Sequence, residues 1–575
     1  MTKKNKILTV VAMCISIFLC MLDTTVMNIA LPAIQNNFHV SLNNLSWALN
    51  IYTILFASLT IPLSKLAEKF GMNLVYIIGL IIFFAGSSVS STSPNLTILI
   101  IGRGIQSLGA AILFPLSMTI GINVVNINTR KIVIAALGIT QGLAAALGPT
   151  IGGILTQFMG WHSIFSINIP FIIFALIICL FTLNFSEEKV KEENDYLGSL
   201  LGIILLSSLS LILTQGRNWG WHSHIIILLC FIFILTFVLF LITEYYAKSP
   251  MIPLTLFKNR EFTGSAIAIV LSNLFLVAVT VILPTYFTHI QHRSELEAAL
   301  LITPITGMIF IMSPISAILL KKLGSRSIIF FGFLLMSLSY YLFTHINMDN
   351  LVMVIFTCTI LGTGYGVITG PITVLAASDF EGYLLTASQS VAGVLRQVGV
   401  SLAVAIFLTG LYGNLATAKH NSINYINNQV STLNVPKKQK EKIREKAINS
   451  LNNNSNSKTP SKHFSEKVIK ETVKTEYDKQ LYKMPSISAI QKQQLYLQID
   501  KRVKSNFNTL NLKINSSIKK IKEYANKQYS NAFINLYKIS FPFLIFSCFS
   551  CLLFPKKKTI AESFSSNGLS KTSKK

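Results

Sequence analysis

The sequence predicts an all-α membrane protein with fourteen transmembrane helices and a helical insert outside the bilayer. Three observations carry that prediction. Fourteen continuous apolar runs recur along the 575 residues, each close to the roughly 20 residues that a helix needs to cross a bilayer. Hydrophobic residues make up 51% of the chain and charged residues only 13%, about half the charged share of a soluble domain, which argues against a water-soluble enzyme. The basic residues of the short loops collect on alternate sides of the runs, as they do in polytopic membrane proteins.

The runs lie at about 7–31, 46–64, 74–92, 97–122, 131–155, 164–184, 197–215, 224–244, 262–288, 298–320, 328–345, 351–375, 384–410 and 534–554. They are continuous rather than alternating, which favours helices over barrel strands. The first follows Lys3, Lys4 and Lys6, as a signal peptide would. It is long, contains Asp23 and has no small-residue cleavage pattern, so it reads as a retained helix.

With the N-terminus in the cytoplasm, the inner loops carry Lys65 and Lys69, Arg130 and Lys131, Lys189 and Lys191, Lys258 and Arg260, then Lys321, Lys322 and Arg326. The tail adds Lys556, Lys557 and Lys558, whereas the short outer loops hold chiefly Arg217 and Arg293. Both termini are therefore expected inside. The seven cysteines all fall within apolar runs, which points to packing rather than disulfides or metal.

Between the last two runs lies a polar insert, 411–533. It holds 23 Lys and Arg against 8 Asp and Glu, a net +15 of the chain's +26. Alternation places it outside, and long segments translocate largely regardless of charge. Val503, Phe507, Leu510, Ile514, Ile518, Ile521 and Ala525 recur at helical spacing. Ile423, Ile426, Val430 and Leu433 form a weaker series before Pro436, and Asn452 to Pro460 reads as a break between helical arms. A solvated, partly disordered insert is the plain reading. Its charge also suits anionic surface polymer or lipid headgroups. Nucleic acid is not expected, because no recognition motif accompanies the charge.

The chain repeats itself. Ser64 to Gly71 (SKLAEKFG) after the second run is echoed by Leu319 to Arg326 (LLKKLGSR) after the tenth, and Gly102-Arg-Gly…Pro115 by Gly362-Thr-Gly…Pro371. The scheme is two parallel six-helix halves with two extra central helices, a transporter architecture.

Four stretches then carry a family resemblance: Leu22 to Pro32 (LDTTVMNIALP), Gly102 to Ala111 (GRGIQSLGAA), Gly138…Gly142…Gly148-Pro149…Gly152-Gly153, and Trp161 to Pro170 (WHSIFSINIP). With them the chain resembles the fourteen-helix drug:proton antiporter branch of the major facilitator superfamily (MFS) over all fourteen helices, though not over the insert. It departs from the family pattern at Ser64, Glu68, Met72-Asn73 and His162. The expected organisation is 1–190 as the first half, 191–250 as the extra pair, 251–410 as helices nine to thirteen, 411–533 as the insert, and 534–575 as the last helix and tail.

Asp23 is the carboxylate placed deep in a predicted helix, at a cost of several kcal/mol unless paired, protonated or hydrated, and that suits a proton carrier. A bond to Thr24, Thr25 or a carbonyl is the structural alternative. The resemblance implies a proton-coupling role for Arg103, whose alternative is snorkelling. Arg396 and Gln397 sit mid-helix and, with Gln141, are candidate substrate-pathway groups. Arg396 would meet an anionic substrate group or Asp23, or else form a structural ion pair. Gly138, Gly142, Gly148, Gly152 and Gly153 allow close packing and Pro149 a bend. The resemblance associates this stretch with exporters, and Glu68 and Gly71 with a gate. His162, His289 and His292 read as bystanders at helix ends. Trp47, Tyr52, Phe114 and Tyr365 would line an apolar pocket or simply pack.

No nucleotide-binding loop, catalytic triad or metal-ligand spacing is visible, so neither cofactor nor enzyme activity is expected. The resemblance implies a proton-coupled exporter of hydrophobic or amphipathic compounds in a bacterial-type cytoplasmic membrane, with protons, substrate and membrane lipid as partners. Monocations, zwitterions and anionic amphiphiles fit better than dications. Export of an endogenous lipid or fatty acid, or a non-transporting scaffold or sensor acting through the insert, are the alternatives.

Overall fold

The computed structural model describes residues 2–40, 42–185, 195–247, 250–291, 293–377, 379–433, 437–453, 466–484 and 488–555. Lys189, Lys191, His292, Pro436, the Asn452–Pro460 break from residue 454 on, and the tail from Lys556 lie outside them. The described residues form helices joined by short turns and contain no strand.

The first predicted run is two helices, α1 (Lys3–Leu22) and α2 (Met27–Phe38). The next are α3 (Leu42–Phe70), α4 (Met72–Ser91), α5 (Leu96–Asn123) and α6 (Ile127–Met159). The sixth run is α7 (Ser163–Ser166) with α8 (Asn168–Thr182). The extra pair is α9 (Tyr196–Trp219) and α10 (His224–Tyr246). Then come α11 (Arg260–His289), α12 (Glu295–Leu323), α13 (Ser325–His345) and α14 (Leu351–Leu375). The thirteenth run is α15 (Gly382–Ala403), which continues through a π turn at Val404–Leu408 into α16 (Thr409–Ser431). The chain goes on with α17 (Lys437–Asn453), α18 (Glu466–Lys483) and α19 (Ala489–Ser547), the C-terminal part of α19 being the last apolar run. Among the described residues thirteen spans are long and apolar enough to cross a bilayer, and α6, whose segments 132–144 and 147–159 meet at 47°, makes fourteen when that bent pair is taken as one span. Pro149 explains the bend. It has no N–H for the carbonyl four residues back, and its ring crowds that carbonyl.

The repeat is visible in the backbone. Gly71 alone joins α3 to α4 at φ 108°, and Gly324 alone joins α12 to α13 at φ 81°, a region that only glycine enters cheaply. Gly102 lies against Ser90 of α4, and Gly362 lies against Ile305 of α12. Within the helical body α6 packs on α12 and α14, and α3 and α5 pack on α15. These are the seams between the first six spans and the later ones. All seven cysteines are free, and five are buried, in keeping with packing.

Two compact units are present, residues 1–410 with 534–575, and residues 411–533. The second has its own core. Ile426 and Val430 of α16 pack with Ile521, Leu433 with Ile514, and Val473 of α18 with Ile499 and Val503. The helical face read from Val503 to Ala525 is therefore a packed face, and the weaker Ile426–Leu433 series is its partner. The lysines of α18 leave this core apolar because they are exposed on its other faces.

Candidate functional site

The first run breaks where its carboxylate stands. After Leu22 the backbone tightens, with Thr24 N–H donating to Met21 O and Thr25 N–H to Leu22 O, three residues back. The hydroxyls of Thr24 and Thr25 donate to the same two carbonyls, at 2.7 and 3.2 Å. Short β-branched hydroxyl residues compete with the helical ladder in this way. The break separates α1 from α2 and turns Asp23, 0% exposed, into the bundle.

Asp23 Oδ1 accepts from Asn168 Nδ2 at 3.1 Å, and Oδ2 lies 3.6 Å from Arg103 Nη1. Arg103, 1% exposed, is held on every side. Its Nη2 donates to the Asp23 backbone carbonyl at 3.2 Å, Nε to Ala48 O at 3.3 Å and Nη1 to Gln106 Oε1 at 2.8 Å. Gln106 donates on to Ser87 Oγ at 2.9 Å. The guanidinium lies 4.2 Å above the Tyr52 ring, and Tyr52 donates to Cys20 O at 3.0 Å. Arg103 is thus fully buried rather than snorkelling. Asp23 bonds to Asn168 and Arg103 rather than to its neighbouring threonines. Asp23 Oδ2 has no hydrogen-bond partner among the described residues, so the carboxylate keeps an acceptor open.

The glycines of α6 fall on two faces. A Cβ at Gly148 would overlap the Thr25 hydroxyl, and one at Gly152 would come 2.7 Å from Val26 O. Both sit directly on the α1–α2 break. A Cβ at Gly138 would come 2.7 Å from Thr373 of α14, one at Gly142 3.3 Å from Ile309, and one at Gly153 3.3 Å from Ala299 of α12. The helix therefore touches the Asp23 turn on one face and the later helices on the other, where Thr150 and Thr303 share a 2.9 Å hydrogen bond.

Arg396 of α15 does not reach Asp23. It is 9% exposed, its Nη1 donates to Gln141 Oε1 of α6, and its guanidinium lies 5.9 Å above the Phe114 ring. Gln141 itself donates to Met118 Sδ at 3.2 Å. Gln397 is buried beside it in sequence. Of the aromatics, Phe114 faces this arginine and Tyr52 faces Arg103, while Tyr365 donates to Asn273 at 3.1 Å and Trp47 packs on Trp219.

At the α3–α4 turn the two groups of helices are fastened together. Ser390 Oγ donates to Ser64 Oγ at 2.8 Å, and Arg130 bridges to Glu381 at 2.7 Å. Lys65 lies 4.0 Å from Glu68, 5.8 Å above the Tyr383 ring and 3.5 Å from Pro250 O. Ser64, Lys65, Glu68, Pro250 and Tyr383 line a small cleft here. Gly71 ends α3 here, and Asn73 donates to Asn184 O at 2.7 Å where the family pattern has basic residues. Beside it the carboxylate of Glu244, 3% exposed, accepts from the backbone N–H of Met251 and Ile252. Glu244 is thus another buried carboxylate besides Asp23. Glu244 sits at a helix end, and its partners exist only once the 250–252 turn folds back.

If this face must open during a working cycle, the Ser64→Cys, Ser390→Cys double variant is expected to cross-link on oxidation and stop turnover, with recovery on reduction. A gel-shift assay with a parallel flux measurement checks this. Cross-linking without loss of flux would contradict it.

His162 stacks on Trp161 at 3.6 Å, and partial burial lowers its pKa against a bond at Ser93 that raises it. A partly buried, stacked imidazole fits a bystander. The side chain of His289 lies outside the described ones. Among the described residues no group of three His, Cys, Asp or Glu is placed to hold a metal.

Comparison with known proteins gives a consistent picture. Residues 13–404 match the family described as Major Facilitator Superfamily. The chain is 32% identical over 330 residues to the methylenomycin A resistance protein of Bacillus subtilis (strain 168), covering 57% of this chain and 71% of that protein. It is 28% identical over 405 residues to riboflavin transporter RibZ of Clostridioides difficile (strain 630), 70% of this chain and 88% of that one. It is 28% identical over 423 residues to multidrug transporter protein MdtP of Bacillus subtilis (strain 168), 72% of this chain and 78% of that one.

Proposed function

The chain belongs to the major facilitator superfamily, a family of multi-pass membrane transporters, and on that premise we propose that it is a proton-coupled exporter of amphipathic compounds. The observation that carries the reading is the buried Asp23–Arg103 pair on a broken helix, in direct contact with the glycine face of α6. A lone carboxylate at such depth is expensive and is usually functional. Here its counter-ion is held by three further acceptors, so Arg103 stays in place while Asp23 gains and loses a proton.

In the proposed cycle a proton from outside reaches Asp23 and weakens its attraction for Arg103. The α1–α2 break relaxes against Gly148 and Gly152, and α6 passes the movement to α12 and α14 on its other face. The face closed by Ser64, Ser390, Arg130 and Glu381 opens as the opposite one closes. Each inward proton returns about 2.3 kcal/mol per 100 mV of membrane potential. The loop charges support placing the closed face, both termini and the tail in the cytoplasm and the insert outside. One relative is named a methylenomycin A resistance protein and another a multidrug transporter, which supports a hydrophobic or amphipathic substrate. The riboflavin transporter among them supports a second reading, a specific vitamin-like substrate. The test is accumulation of a panel of such compounds in an efflux-deficient host expressing the protein. Lowered accumulation that a protonophore reverses supports export, and lowered accumulation that persists under it removes the proton.

The insert is proposed to be dispensable for flux. Asn414 Nδ2 donates to Ala532 O at 3.0 Å, so the ends of 411–533 lie side by side and a short linker can replace everything between them. Deletion is expected to leave export within about twofold of the full chain, since loop-closure costs grow slowly with length. Loss of all flux would favour a scaffold or sensor acting through the insert.

A further inference from the structure

The two buried arginines of the helical body differ in one respect. Arg103 has a carboxylate and three other acceptors. Arg396 is also more than nine-tenths buried, yet its Nη1 meets only the neutral Gln141 Oε1 and its Nε finds no acceptor among the described residues. No ion pair to Arg396 occurs among the described residues. A guanidinium carries five donors in a fork that fits a carboxylate, and burying it without a counter-charge is strongly unfavourable. Its surroundings come from both groups of helices. Phe114 and Gln141 belong to α5 and α6, and Arg396 to α15. The uncompensated guanidinium therefore stands at a seam between the helices that alternating access would part.

We propose that Arg396 recognises an anionic group on the substrate, so that the compounds handled are amphiphiles with a carboxylate or comparable oxyanion on an apolar body. Gln141 Oε1 holds the place of one ligand oxygen, and the Phe114 ring offers an apolar wall. Because Asp23 is already paired, a cationic substrate finds no uncompensated carboxylate beside Arg396. The transport that binding leads to rests on the exporter reading, whereas binding itself does not.

The test uses the full chain in zwitterionic nanodiscs with three fluorescent probes of one apolar body: pyrenebutyrate, pyrenebutanol and pyrenebutyltrimethylammonium. Partition into empty discs is subtracted. The anion is expected to bind at least tenfold more tightly than the cation, which corresponds to about 1.4 kcal/mol, with the alcohol between them. Gln141→Glu, nearly isosteric, places a fixed carboxylate on Arg396 and is expected to abolish that preference by weakening the anion more than the alcohol. Arg396→Lys is expected to keep a reduced preference, and Arg396→Gln to lose it. Equal affinity for all three probes in the unaltered protein, a cation preference, or undiminished anion binding in Gln141→Glu would each overturn the proposal. So would an equal loss for every probe in Arg396→Gln, which is the mark of a packing role. Should Arg396→Gln fail to fold, Gln141→Glu and Arg396→Lys still decide. A charge preference without proton-driven flux would remove the exporter reading alone. Proton-driven flux without a charge preference would remove this proposal alone.

Discussion

Asp23→Asn is expected to cut proton-driven flux by about two orders of magnitude or more, the scale on which removing a positioned proton-transfer group acts, while the protein still folds. The fold survives because asparagine keeps an oxygen for Asn168 Nδ2, and because Arg103 retains the Asp23 carbonyl, Ala48 O and Gln106 Oε1. What is lost is the group that changes charge. Arg103→Ala should behave differently. It leaves Asp23 buried without a counter-charge, and breaking a buried pair from one side costs about 3–5 kcal/mol. It also removes the cation stacked on Tyr52. That variant is expected to lose thermal stability as well as flux. The comparison separates a proton carrier, whose loss spares the fold, from a structural pair, whose two single variants would destabilise alike. Thermal unfolding in detergent beside flux in vesicles reads both.

The second large effect is steric. Gly148→Ala and Gly152→Ala each press a methyl group into the Asp23 turn, against Thr25 and the Val26 carbonyl respectively. Overfilling a packed core costs about 1–3 kcal/mol, and backbone gives way less readily than a flexible side chain. Both variants are therefore expected to lose most of their flux at reduced stability. Gly307→Ala in α12 is the control. Nothing lies within 4 Å of the added atom, and alanine is the better helix former by about 1 kcal/mol, so stability should hold or rise. If Gly148→Ala transports as well as Gly307→Ala does, close approach of α6 to the broken helix has no part in the cycle.

The spans were legible because bilayer thickness fixes a length that any continuous apolar run displays. The repeat was legible because Gly71 and Gly324 are single-residue turns that need a positive φ. The long helix of the insert was legible from the spacing of Val503 to Ala525, while α17 and α18 hid their contacts in stretches dense with lysine. The break after Leu22 was not legible, since Thr24 and Thr25 are compatible with a helix and turn only because their hydroxyls bond back to Met21 and Leu22. Asp23, Arg103 and Asn168 are far apart in sequence, so their meeting is a product of packing. The same holds for Arg396, whose partner is Gln141 and not Asp23. Glu244 was not legible because its meaning lies in the backbone of residues 251 and 252.

The most direct measurement reconstitutes the full chain in sealed vesicles with a pH-sensitive dye inside and follows proton and pyrenebutyrate movement together. Proton-coupled exchange through Asp23 predicts that imposing an opposing probe gradient moves protons, that a pH gradient drives the probe the other way, and that Asp23→Asn uncouples the two. Probe flux that proceeds unchanged with protons held at equilibrium on both sides, in the unaltered protein and in Asp23→Asn alike, would contradict it.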